Sequence, residues 1–271
     1  MSFLLVLLAL VTATVGALGG LGGAVILVPL LVITGTPARE AAPLGLLSVA
    51  SGSLAAGPRQ LAELTVHHRL GVTTETMASV GAVSGALLSG AFGDKLLTRL
   101  LAVVALAAAV ASFRGRDETH AVADEDGDGD LGEHRGTLSG TFRAEGAVRR
   151  YRARNLPGGL AVMSLAGLVA GIAGASGGFI KTPATSEIMR VPVKVAASTT
   201  TFTVGITSAA ALLVFAAHGR INLAHAGPVI AGSLVGGQLG ARLQSAVHSS
   251  VIRRALASIL VGVAAILLVQ A

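Results

Sequence analysis

Apolar residues fall along this chain in long blocks, interrupted by short polar links and by one long charged stretch. A hydrocarbon core of about 30 Å needs roughly 20 helical residues to cross it. Blocks of that order lie near 3–34, 41–57, 71–91, 96–112, 158–190, 193–217, 222–244 and 251–270. Together they predict an all-α polytopic membrane protein with about eight transmembrane helices. The first and fifth blocks exceed one crossing and carry glycine clusters followed by Pro29 and Pro183. Each therefore reads as a glycine-broken helix, a span joined to a half-helix.

Displacing the chain against itself by 155 residues aligns Gly16, Gly19, Gly22 and Gly23 with Gly171, Gly174, Gly177 and Gly178. The same shift pairs Pro37, Ala41 and Ala42 with Pro192, Ala196 and Ala197, and Val49 and Ser53 with Val204 and Ser208. It still holds at Gly81, Gly85 and Arg99, which meet Gly236, Gly240 and Arg254. One gapless shift over about a hundred residues is unlike the scattered matches that Gly/Ala-rich composition produces. The expected organisation is a four-span repeat at 1–112, a flexible connecting loop at 113–156 and a second four-span repeat at 157–271. The N-terminal block lacks a basic n-region and takes part in the repeat, so it reads as mature fold and not as a signal peptide. Internal repeats point to a transporter with its site where the halves meet. An even span count per half makes the halves parallel, unless the glycine segments turn back as hairpins and invert them.

Composition sharpens this picture. The chain is 52% hydrophobic and 13% charged, against roughly 25% charged in soluble domains. Residues 113–156 hold 8 Lys/Arg and 9 Asp/Glu, which leaves 12 basic and 5 acidic residues in the apolar body. A body with that excess favours an anion as its charged ligand. With no cysteine in the chain, disulfides, thiolate catalysis and Cys-ligated metals are excluded. No cofactor, metal or nucleic-acid partner is expected; the partners are the lipid bilayer, a small anion and, in a homodimer, a second copy.

Within a bilayer, irregular backbone is tolerated only where protein or a water-filled cavity surrounds it. "GALGGLGGAVILVP" (16–29) and "GIAGASGGFIKTP" (171–183) therefore mark two buried or cavity-lining breaks. Each starts a new helix whose free N–H groups suit an anion, with Gly22, Gly23, Gly177 and Gly178 sterically open. The competing reading is packing, because Gly16/Gly20, Gly19/Gly23, Gly167/Gly171 and Gly174/Gly178 all have small-xxx-small spacing. Lys181, within the second break, is costly in a membrane and needs a ligand or a partner; Glu187 is the nearest acid in sequence. Ser198, Thr199, Thr200 and Thr201 open the next span as a run of hydroxyls. Glu75, Glu187 and His225 are candidates for carrying protons. His67, His68 and His218 read as interfacial.

The order and duplication of "GGAVILVP" (22–29) and "GGFIKTP" (177–183), then "GTPAREAA" (35–42) and "RVPVKVAAST" (190–199), with "GSLVGGQLGARL" (232–243) following, resemble the TauE/SafE sulfite exporter family. The resemblance covers nearly all of both halves. It implies a non-enzymatic, multi-span permease of the prokaryotic inner membrane that moves sulfite, sulfoacetate or other organosulfur anions on ion gradients. On that reading the substrate is held by Gly22, Gly23, Ser176, Gly177, Gly178, Lys181 and Ser198 to Thr201.

Three other readings compete. "GASG" (174–177) is also a rhomboid-type nucleophile motif, with Ser176 as nucleophile and His225 as its base. Against it stand the duplicated eight-span pattern and the missing HxxxN on an earlier span. The stretch 124–135 has an EF-hand-like order at Asp124, Asp126, Asp128 and Gly129, but Arg135 stands where the bidentate acid belongs, so a solvated acidic linker is expected. A non-transporting membrane assembly subunit would share the same spans.

Overall fold

The computed structural model describes residues 2–19, 22–114, 125–126, 131–144, 147–243 and 249–270. The EF-hand-like positions Asp124, Asp128 and Gly129 lie outside the described residues. The helices are α1 (Ser2–Gly19), α2 (Ala24–Ile33), α3 (Ala38–Ala62), α4 (His68–Ser89), α5 (Asp94–Arg114), α6 (Leu156–Ala173), α7 (Gly178–Pro183), α8 (Val193–Ala217), α9 (Leu223–Leu243) and α10 (Ser249–Gln270). A π-helical turn, Ala184–Ile188, follows α7, where Pro183 has no N–H to continue an α-helical ladder. This is an all-α membrane protein. Ala38–Ala62, Asp94–Phe113, Leu156–Ala173 and Val193–Ala217 are each long and apolar enough to cross a membrane, and Ser2–Leu18, Ala24–Ile33 and Arg254–Val269 are shorter apolar helices.

The two long glycine-containing blocks are broken as the sequence predicts. Gly22 and Gly174 take φ of +77° and +66°, a region that β-carbon-bearing residues disfavour. The chain then doubles back. A Cβ on Gly23 would lie 2.6 Å from the Thr12 carbonyl oxygen, and one on Gly177 would lie 3.0 Å from that of Ala166. Arg154 N donates to Met189 O at 2.8 Å, so the segment from α6 through the π turn returns to the face it started from.

Other glycines in these blocks are packing contacts. A Cβ at Gly167 or Gly171 of α6 would collide with the carbonyl oxygens of Ala78 or Ala82 in α4, and Gly81 and Gly85 press equally on Ser164 and Leu168. The register ascends on both helices, so α4 and α6 are parallel. Gly232, Gly236 and Gly240 of α9 face the carbonyls of Val6, Leu10 and Thr14 of α1 in the same parallel sense. Small residues let helix backbones approach closely where lipid supplies no hydrophobic drive.

Contacts at the helix ends fix direction. Arg39 at the start of α3 pairs with Asp94 at the start of α5, at 3.5 Å. His67, the N-cap of α4, donates its N–H to Thr199 Oγ1 near the start of α8. Arg220, between α8 and α9, donates to Ser89 Oγ at the end of α4. α4 and α8 therefore run the same way. Because α3 leads into α4 through a short link, it runs opposite to both. α3 and α8, whose bounds differ by 155 residues at each end, are thus oppositely oriented.

The connecting loop, expected to be flexible, contains a small antiparallel sheet. Strands β1 (Glu125–Asp126), β2 (Gly132–Glu133), β3 (Ser139–Ala144) and β4 (Ala147–Arg152) lie in the order β1-β4-β3-β2. Phe142 and Tyr151 are buried beneath it, in a cluster with Leu70, Met163, Met189 and Val191. Burial of that apolar face holds the sheet on the starts of α4 and α6. His67, expected at an interface, is consequently enclosed at 0% exposure.

Candidate functional site

A small cavity of about 30 Å³ lies where the two glycine breaks meet, room for about two water molecules. Gly22 and Gly23 of the first break, Gly178 of the second, Val49 and Ser53 of α3, and Thr201 and Val204 of α8 are among the residues that line it. Val49 and Val204 each occupy the twelfth position of a 25-residue helix, so the cavity sits at mid-helix depth. Ser176, fully buried, donates to Gly22 O at 3.4 Å and ties the breaks together.

Of the four hydroxyl residues that open α8, Thr201 reaches the cavity, and its Oγ1 is buried without a hydrogen-bond partner. Ser53 Oγ donates to the carbonyls of Thr201 and Phe202 at 2.7 and 3.0 Å. Thr199 serves the α4 N-terminus, Thr200 is buried and Ser198 is half-buried. Of the glycines, Gly177 caps α7. Ser48 and Ser53 were not singled out from sequence; their one signal was the alignment of Ser53 with Ser208 at the repeat offset. Ser48 Oγ bonds to Ser233 Oγ at 2.8 Å, just beside the cavity.

Lys181 is 1% exposed and is paired with Glu75, not with Glu187. Its Nζ donates to both Glu75 oxygens, at 2.8 and 3.0 Å, and to Thr207 Oγ1 at 2.5 Å. Thr207 completes the triad, donating to Glu75 Oε1 through its hydroxyl and, at 3.0 Å, through its backbone N–H. Glu75 had been placed near membrane depth by its span alone; its pairing, across 106 residues, had no local signal. A Cβ on Gly177 would touch Lys181 Cε at 3.4 Å. The triad thus adjoins the second break at Gly177, the residue before cavity-lining Gly178.

The remaining candidates lie apart. Glu187 is exposed on the π turn, and His225 is half-buried in the first turn of α9. Ser176 is engaged with Gly22, and a protease reading of Ser176 and His225 gains no support from this arrangement.

The two segments that double back meet over a small cavity, and the buried Lys181–Glu75 pair lies beside the second of them. A sequence profile of the sulfite exporter TauE/SafE family matches residues 5–267. The chain belongs to the TauE/SafE family. It is 24% identical over 261 residues to a probable membrane transporter protein, YunE, of Bacillus subtilis (strain 168), covering 93% of this chain and 92% of that one. No solved structure matches the chain. Membership makes this TauE/SafE protein a multi-pass membrane transporter, and the family's description fits the apolar helices of the fold.

Proposed function

We propose that the protein is a secondary transporter for sulfite or an organosulfonate such as sulfoacetate, with the anion bound between the two glycine breaks. The observation that carries this reading is the cavity lined by both breaks at once. Helix N-termini at Gly23 and Gly178, the hydroxyl of Thr201 and the neighbouring Lys181 supply N–H, O–H and ammonium donors, the groups an oxyanion accepts from. Ser176, through its bond to Gly22 O, and Gly177, which caps α7, hold the two breaks in place around it. The cavity's volume suits a partly closed state that widens to admit a solute. The TauE/SafE family supports a sulfur anion as the cargo.

The two halves are proposed to be repeats of inverted orientation, related by the 155-residue offset. Opposed α3 and α8 support this, as does the exchange of partners by which α1 packs on α9 and α6 on α4. Rocking one half against the other around a fixed site is the motion such an arrangement permits.

The test is uptake of labelled sulfite, sulfoacetate and taurine into proteoliposomes, comparing the natural chain with Thr201→Val and Lys181→Ala. At least one of these anions should enter faster than into empty liposomes, with both variants slower. If none does, the substrate class is wrong.

A further inference from the structure

Among the described residues, the buried Glu75 and Lys181 balance one another before any anion arrives. Along α4, α6, α7, the π turn and α8, the titratable or charged side chains are His68, Arg69, Glu75, Lys181, Glu187 and Lys194. His68, Arg69, Glu187 and Lys194 are exposed, leaving Glu75 and Lys181 as the buried pair among these elements. α6 carries no charged residue at all. Around Glu75 the groups facing it are therefore the Lys181 ammonium and the Thr207 hydroxyl and N–H. A monovalent anion that entered alone would leave one uncompensated negative charge in low dielectric, which is prohibitive.

The pair is also not demanded by the fold. Positions 155 residues from Lys181, Glu75 and Thr207 are Ile26, Ile230 and Gly52, so the corresponding place in the other half holds no ionisable group. Replacing a buried ion pair with apolar residues is often neutral or stabilising. The triad is an addition to one half, with Lys181 Cε beside Gly177, the neighbour of cavity-lining Gly178.

We propose that Glu75 is the proton site of the transporter: a proton taken up by its carboxylate releases the Lys181 ammonium to the anion in the cavity. This rests on the anion site proposed above. The balance is one for one. Glu75 carboxylate plus a proton gives the neutral acid, which keeps one O–H to donate. Lys181 stays an ammonium, and its charge passes from the carboxylate to the anion. Lys181 Cε already lies beside Gly177, so a turn of its side chain brings Nζ toward Gly178. One proton taken up by Glu75 therefore offsets one negative charge of the anion and travels with it in the same direction.

Infrared difference spectra of the purified full chain between high and low pH, with and without sulfite or sulfoacetate, test this directly. A protonated-carboxyl band should appear at low pH, grow when the anion is added at fixed pH, and be lost in Glu75→Gln. Where Glu75→Gln does not fold, Glu75→Asp should shift the band instead. No such band, or a band indifferent to both variants, overturns the proposal. In proteoliposomes an inward proton gradient should raise sulfoacetate uptake several-fold in the natural chain, and Glu75→Gln should lose that response. Uptake that ignores the gradient in the natural chain also overturns it. If no anion is carried at all, the substrate reading fails while the pH-dependent band still decides whether Glu75 takes up a proton.

Discussion

Lys181 shows how far a single residue can be read from sequence. A lysine in an apolar block announces a partner or a ligand, because an unpaired ammonium there is too costly to keep. Which partner is a three-dimensional matter: the acid six residues away faces out, and the one that pairs comes from another helix. Removing one member leaves the other charge buried and alone. Lys181→Met should therefore destabilise the protein by roughly 3–5 kcal/mol, whereas Lys181→Met combined with Glu75→Gln should recover most of that loss. Denaturant unfolding in detergent micelles measures both. A double variant no more stable than the single would mean that the triad is not an energetic unit.

At the scale of elements, the glycine-broken helices were legible because Gly pairs followed by Pro have a local cause. The sheet was not. The segment 113–156 is charged throughout, and its burial rests on Phe142 and Tyr151 meeting apolar residues of α4 and α6, contacts that no local pattern announces. His67 is the hinge of this docking. Its Nδ1 accepts from Leu70 N at 3.2 Å and lies 3.1 Å from Glu133 Oε2; one nitrogen serves as a lone pair for the first or as an N–H for the second. Burial pushes the imidazole below its ordinary value of 6.5, against the opposing pull of Glu133. The folded state then holds His67 neutral while the unfolded chain takes up a proton. Its contribution to stability is full above about pH 6.5 and declines as pH falls from there toward the lowered folded value. Thermal unfolding in detergent should show a melting temperature that falls between about pH 7.5 and about pH 5, with a shallower fall in His67→Gln. Equal slopes would remove His67 from that role.

For the whole molecule, the decisive property is direction. Arg39 and Lys194 are 155 residues apart, both exposed, each in the first turn of its 25-residue helix. If α3 and α8 are opposed across the bilayer, the two positions lie on opposite sides. The chain contains no cysteine, so Arg39→Cys and Lys194→Cys can be made singly and labelled in sealed, uniformly oriented vesicles with an impermeant maleimide. One should react from outside and the other only after the membrane is opened; reaction of both from the same side would rule out inversion. The pair Arg39–Asp94 is exposed, so its loss in the first variant should cost little.

By itself the sequence determined the membrane, the helical class, the two breaks and the 155-residue periodicity, because each rests on local runs of apolar residues, glycine and proline. It also pointed to the family, since the order of short motifs survives in one dimension. Tertiary structure decided that the broken segments double back, that α3 and α8 run in opposite directions, and that Glu75 and Thr207 close on Lys181. These depend on which surfaces meet across the bundle. That pairing is settled by close packing and by charge balance in a medium without water, neither of which is written in any short stretch of chain.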